Sequence, residues 1–267
     1  MRAYFFGLLL WCGIATAQTA AFDHGTWDGL LQRHVVTLAQ DQATEIDYAG
    51  MTRERARLKT YLSALAAVKP AAYQQWTKAD QLAFLINAYN AWTVELVLTR
   101  YPGLGSIKEI GSLFSSPWKK RFVPLLGETR SLDDIEHGLI RAAGVFEEPR
   151  IHFAVNCASV GCPALRGEAY VGSRLESQLE DATRRFLADR SRNRFNPKTQ
   201  RLEVSKIFDW YRQDFERGWG GYTHLSQFFA RYADVLADTD DDRRLLRARQ
   251  TRITHLDYDW KLNARGS

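Results

Sequence analysis

Residues 150–163, Arg-Ile-His-Phe-Ala-Val-Asn-Cys-Ala-Ser-Val-Gly-Cys-Pro, bring together more reactive side chains than any other stretch of the chain. His152 stands five positions before Cys157, Cys162 five positions after it, and Ser159 lies between the two cysteines. A cysteine becomes a nucleophile when a neighbouring base or positive field turns its thiol into thiolate. His152 and Cys157 are therefore a candidate base and nucleophile, with Ser159 and Cys162 as accessory groups. The same cysteines also suit a Cys157–Cys162 disulfide if the protein works in an oxidising compartment. Closing so short a loop would add little stability.

Two further segments supply polar groups. Glu136 and His137 are adjacent in a helical stretch, Ser131–Arg141, so they point about 100° apart. One is expected to face the site and the other to be structural. A buried Glu136 would need a partner such as Arg141 or Arg150, and it could then act as a general acid or base. Asn87 and Asn90 stand at i and i+3 in an aromatic helix. Such amides usually satisfy the backbone of a neighbouring loop, and Asn87 could instead orient an imidazole or an oxyanion.

Several other chemistries are absent from the pattern. His137, His152, Cys157 and Cys162, with Asp133, Asp134 or Glu136, lack the short spacings of a zinc site, so no metal and no other cofactor is expected. Two cysteines separated by four residues do not make a thioredoxin-type pair. Gly218-Trp-Gly-Gly221 is a flexible turn without the Lys and Ser/Thr of a phosphate loop. There is no Gly-x-Ser-x-Gly elbow.

The elements that must position these groups follow from periodicity and caps. Helices are expected over Phe22–Leu38, Arg53–Val68, Lys78–Tyr101 (capped by Thr77), Ser173–Asp189, Lys206–Arg217 and Leu225–Leu236, with a short one starting near Asp238. Ser131 with Asp134 reads as a capping box. Extended segments are expected at Glu45–Tyr48, Trp118–Leu126 before a Gly127-Glu128 turn, a hairpin over Phe195–Val204, and Arg252–Trp260. Arg150–Asn156 reads as a buried strand. Strand side chains alternate, so His152 would share a face with Ala154 and Asn156, and Cys157 would face away unless the strand ends first. The whole is an α+β fold, a predominantly helical single domain with a small, mainly antiparallel sheet.

Met1-Arg2, the apolar run from Ala3 to Ile14 and Ala15-Thr16-Ala17 describe a signal peptide over residues 1–17, cleaved after Ala17. That run falls short of the ~20 residues of a membrane span. Bulky Trp11 argues against Cys12 as a lipid-bearing cysteine. A helical segment over residues 18–74 is expected to pack on a main domain over 75–263. The formal charge of +5, from 36 basic and 31 acidic residues, is spread over the chain. No concentrated basic stripe points to nucleic acid. The expected location is periplasmic or secreted, with no membrane span after cleavage.

Four ordered motifs carry a resemblance. They are Phe84-Leu-Ile-Asn-Ala-Tyr-Asn90, Ser131-Leu-Asp-Asp-Ile-Glu-His137, His152 through Pro163, and Tyr258-Asp-Trp-Lys-Leu-Asn263. Together they resemble domain of unknown function family number 547, found in exported bacterial proteins and in plant proteins behind a predicted coiled coil. The resemblance covers roughly residues 75–235 and the closing Tyr-Asp-Trp segment. It implies an α+β domain whose Asn, Glu and Cys signatures meet in space, and it implies no reaction. In plant members the position matching Cys157 tends to stay Cys and that matching Cys162 tends to be small, so a bridge would be specific to the bacterial kind.

Two functions fit these residues. One is a thiol-dependent hydrolase or acyl transferase, with Cys157 as nucleophile, His152 as base and Glu136 or Asn87 orienting. The other is a non-enzymatic envelope binding or scaffold domain with Cys157 and Cys162 bridged. The partner would be a small molecule, a peptide or an envelope component. The closing Tyr258-Asp-Trp260 segment is expected to be structural, docking back on the core.

Overall fold

The computed structural model describes residues 21–38, 42–112 and 115–266. The signal-peptide segment and Cys12 lie outside these residues. The fold is helical α+β, with three small sheets of two, two and three strands among the described residues. No described helix is long and apolar enough to cross a membrane.

The Lys78–Leu98 helix is the axis of the first core. Thr77 caps it by accepting from Asp80 N at 3.1 Å. From Gln81 to Leu98 only Trp92 escapes full burial, so the helix is covered on all sides, as an apolar run without a polar face requires. The Arg55–Ala67 helix, the Asp134–Ile140 helix and the turn at Gly172–Arg174 pack around it. Its one buried carboxylate, Glu95, is forked by Arg55 at 2.6 and 3.0 Å. A bidentate pair of this kind makes burying the charge tolerable.

A second core is aromatic. Phe153, Phe186, Phe208, Phe215, Phe228 and Phe229 are all at most 1% exposed and pack with ring centroids 4.7–6.2 Å apart. They come from the Pro149–Phe153 turn, the Leu175–Ala188 helix, the short turns between Ile207 and Phe215, and the Leu225–Arg231 helix.

The segment joining the two cores departs from expectation. Arg150–Asn156 is not a strand. Pro149–Phe153 forms a 3-10 turn, followed by irregular chain. The reason is local. Glu148 caps the turn by accepting from Arg150 N at 3.0 Å, and Pro149 sits at its first position with φ already set. In this turn Ile151 belongs to the first core and Phe153 to the second. His152 lies between them. The strand alternation that seemed to separate His152 from Cys157 therefore does not apply.

Other differences are smaller. The hairpin Val123–Leu125 with Glu128–Arg130 turns at Leu126-Gly127, one residue earlier than expected, with φ of 53° and 80°. Two successive positive φ values suit a tight hairpin. The hairpin over Arg194–Asn196 and Arg201–Val204 forms, and Arg252–His255 adds to it in parallel. The aromatic stretch Lys206–Arg217 breaks into Ile207–Trp210 and Arg212–Phe215.

Beyond His255 the chain runs back across the molecule. Val160 N donates to Lys261 O at 2.9 Å and Gly161 N to Asp259 O at 2.8 Å. Leu262 N reaches Gly105 O at 2.8 Å, and Ile46 N reaches Asn263 O at 2.8 Å. Tyr48 hydroxyl donates to Asn263 Oδ1 at 2.8 Å. The tail thus ties the cysteine loop to the N-terminal helices, and Asp259 is satisfied locally by Lys261 N at 2.9 Å.

Candidate functional site: an aromatic pocket at the seam of two cores

A cavity of about 200 Å³ opens where the cores meet. Several segments build it, with Trp118 from the Pro117–Lys119 turn at its edge. The Lys78–Leu98 helix gives Tyr89. The Asp134–Ile140 helix and the residue before it give Asp133, Glu136 and His137. The 3-10 turn and cysteine loop give His152, Cys157 and Cys162, and the aromatic turns and tail give Trp210, Tyr211, Tyr258 and Trp260.

Ser131 and Asp134 make the reciprocal capping contacts expected of them, Asp134 N to Ser131 Oγ at 3.0 Å and Ser131 N to Asp134 Oδ2 at 2.8 Å. The helix they start is a π-helix, and Arg141 N bonds five residues back to Glu136 O at 2.9 Å. Wide turns of this type recur at functional sites. Here Glu136 and His137 both line the cavity, whereas one was expected to point elsewhere.

Glu136 is 5% exposed and has neither expected guanidinium partner. Arg141 is committed to Asp214, and Arg150 is committed to Glu148, Glu176 and Glu180. Glu136 lies instead against two phenols. Burial, and then the charge and hydrogen-bonding reach of Glu136, push the Tyr89 and Tyr211 hydroxyls well above their ordinary pKa. Both therefore stay protonated donors. Glu136 Oε1 is buried without a hydrogen-bond partner.

His152 is 2% exposed, and its Nε2 lies 2.7 Å from Asp214 Oδ2. Its ring stacks on Tyr211 with centroids 3.9 Å apart. Burial lowers the imidazole pKa against the opposing pull of Asp214 and Glu136. Asp214 is fully buried and takes Arg141, Arg217 and His152 together. Burial alone would raise its pKa, but His152 and Arg141 hold it at about 2. Asp214 is thus an anion, Nε2 of His152 carries the proton it accepts, and Nδ1 is left as a lone pair. Nδ1 is buried and has no partner.

Cys157 and Cys162 are joined in a disulfide. Tyr258 hydroxyl lies 3.1 Å from Cys157 Sγ, 3.2 Å from Cys162 Sγ and 3.1 Å from Ser159 Oγ. His152 contacts neither sulfur by hydrogen bond. The thiol–imidazole pair expected of a nucleophilic cysteine is therefore not formed in this state. Ser159 is buried behind the sulfurs.

Asn87 stands apart from the cavity. Its amide donates to Tyr170 O at 2.7 Å and accepts from Tyr170 N at 3.0 Å. Asn90 does the same for the cysteine loop, donating to Ala154 O at 2.9 Å and accepting from Asn156 N at 2.8 Å. Both amides have the loop-satisfying role, and Asn90 rather than Asn87 is next to the site. No group of three or more His, Cys, Asp or Glu among the described residues is arranged to hold a metal ion.

The residues missed by sequence reasoning are Asp214, Tyr89, Tyr211, Trp118 and Trp210 as site groups, and Tyr258 and Trp260 as walls rather than mere packing. Asp214 had one visible signal, an acid embedded in the aromatic run Ile207–Phe215, where burial would demand cationic partners.

These features define a helical α+β domain with a pocket at the seam of its two cores. Residues 73–187 match the family model described as protein of unknown function, DUF547. This segment supplies Glu136, His137, His152 and both cysteines, while Asp214 and the closing aromatics lie beyond it. No curated protein and no solved structure matches the chain.

Proposed function

We propose that the chain is a small-molecule-binding protein, with the ligand seated in the pocket between the cores and the Cys157–Cys162 disulfide as part of its wall. One observation carries this reading. Glu136 Oε1 and His152 Nδ1 are buried, belong to residues lining the same cavity, and have no partner. An unpaired buried polar atom costs about 1–3 kcal/mol, and a ligand that pairs with both recovers that cost. Aromatic walls with a few convergent polar groups are what small-molecule sites are made of. About 200 Å³ suits a compact ligand, somewhat larger than the benzene that a ~150 Å³ cavity admits.

The test is titration of the full chain, with its disulfide intact, against a panel of compact polar fragments, followed by calorimetry and tryptophan emission. Saturable binding that is lost on filling the cavity with Val155→Trp supports the proposal. If no fragment binds, or if Val155→Trp leaves binding unchanged, the pocket is not the site.

A second reading keeps one observation on its side. Both cysteines line this same pocket, so reduction would leave the Cys157 thiol facing any bound ligand. Thiol-dependent hydrolysis would then belong to the reduced protein alone. Ester turnover that appears on reduction and disappears in Cys157→Ala supports it, and turnover that survives Cys157→Ala removes it. The bridged pair also suits an oxidising compartment, so export to the periplasm or beyond belongs to the proposal. Cell fractionation tests that part.

A further inference from the structure

The charge of the pocket is one-sided. Its carboxyl and imidazole lining groups are Asp133, Glu136, His137 and His152, and no lysine or arginine is among the lining residues. Arg141 and Arg217 are taken by Asp214, and Arg192 by Asp189 and the Cys162 carbonyl. Glu136 Oε1 keeps no hydrogen-bond partner.

The aromatic side is arranged to match. Tyr258 and Trp260 have ring centroids 4.5 Å apart and inclined at 51°. Trp210 stands 4.8 Å from Tyr258 and 5.6 Å from Trp260. Trp118 extends the corner, 6.0 Å from Trp260 at 63°. All four rings line the cavity and are tilted against one another, not stacked flat. The chain's own Lys108 ammonium already lies 3.5 Å over the Trp260 ring, which shows that a cation is accepted at that ring. A cation over aromatic faces gains about 0.5–2 kcal/mol, more when desolvated.

Resting on the pocket reading above, we infer that the ligand is a compact organic cation, an ammonium whose charge sits between the Glu136 carboxylate and the Trp210–Tyr258–Trp260 corner. The aromatic faces take the alkyl groups around the nitrogen, and Glu136 supplies the counter-charge. His152 Nδ1, an acceptor in its unprotonated form, takes a hydroxyl or N–H donor carried elsewhere on the same ligand. An anion is disfavoured, because two carboxylates and no lysine or arginine are among the lining residues.

Choline and its neutral isostere 3,3-dimethylbutan-1-ol separate charge from shape. On the full chain, calorimetry and tryptophan emission are expected to show choline binding at least about tenfold tighter than the isostere. In Glu136→Gln that preference is expected to collapse toward parity. Should Glu136→Gln fail to fold, the comparison on the unmodified chain still decides. Equal or tighter binding of the isostere, or of benzoate, overturns the cation assignment and leaves the pocket reading standing. If choline, the isostere, benzoate and benzyl alcohol all fail to bind, the pocket reading falls with it.

Discussion

Asp214 accepts from Nε2 of His152 at 2.7 Å, and both side chains are buried. This contact fixes the imidazole tautomer, because a carboxylate held at about pKa 2 can only accept. It also decides which nitrogen is left for the pocket. The partner that orients His152 comes from the aromatic turns of the second core, not from the conspicuous cysteine segment.

Replacing Asp214 with Ala strands Arg141 and Arg217 beside a buried imidazole. Breaking a buried ion network by removing one member costs about 3–5 kcal/mol. Chemical denaturation is expected to show a loss of that size. The pH dependence has a definite sign. The folded pKa lies below the ordinary carboxylate value, so the contribution of Asp214 is complete above pH ~4 and is lost as pH falls toward about 2. By linkage it amounts to about 2 kcal/mol. The Ala variant should lack this acid-sensitive component.

The disulfide closes a loop of six residues, since its cysteines are five apart in sequence. Chain entropy assigns so short a loop about 2 kcal/mol. The double substitution Cys157→Ser with Cys162→Ser is expected to lower unfolding free energy by that amount. In the unreduced protein, alkylation followed by peptide mapping should label neither cysteine. Labelling of Cys157 without prior reduction would contradict the bridged state.

Asn90→Asp isolates one hydrogen bond. The new carboxylate still accepts from Asn156 N, but it cannot donate to Ala154 O as the amide does. A buried carbonyl and a buried carboxylate are then left face to face. A loss of about 2–4 kcal/mol is expected, together with looser packing of the cysteine loop, visible as faster hydrogen exchange at residues 154–158.

Gly161 lies directly under the Tyr258 ring. A Cβ added there would come within 2.8 Å of the ring carbons, so Gly161→Ala must push Tyr258 aside. Overpacking of this kind costs about 1–3 kcal/mol. Because Tyr258 also touches both sulfurs, the disulfide of the Ala variant should reduce faster under mild dithiothreitol. An unchanged reduction rate would show that Tyr258 does not shield the bridge.

Local signals carried well from sequence to structure. Thr77 caps its helix and Ser131 pairs with Asp134 because both motifs act within four residues. The 150–156 segment was misread for a local reason too. Alternating apolar residues looked like a strand, but Glu148 and Pro149 set a turn first. Other parts of the site could not be read at all. Asp214 finds His152 across 62 positions, and Trp118, Trp210 and Trp260 meet only because the tail recrosses the molecule. Contacts at that range leave no periodicity in the sequence.

The recrossing tail also sets an order of events. Tyr258 and Trp260 are made after every other pocket residue, and the segment that carries them seals Gly105, Ala158 and Ile46 in one pass. A nascent chain can assemble the Lys78–Leu98 axis and the phenylalanine cluster early, domain parts folding as they emerge. It has no complete cavity until Tyr258 and Trp260 are in place. A chain cut before residue 258 can therefore have both cores and still lack the complete pocket.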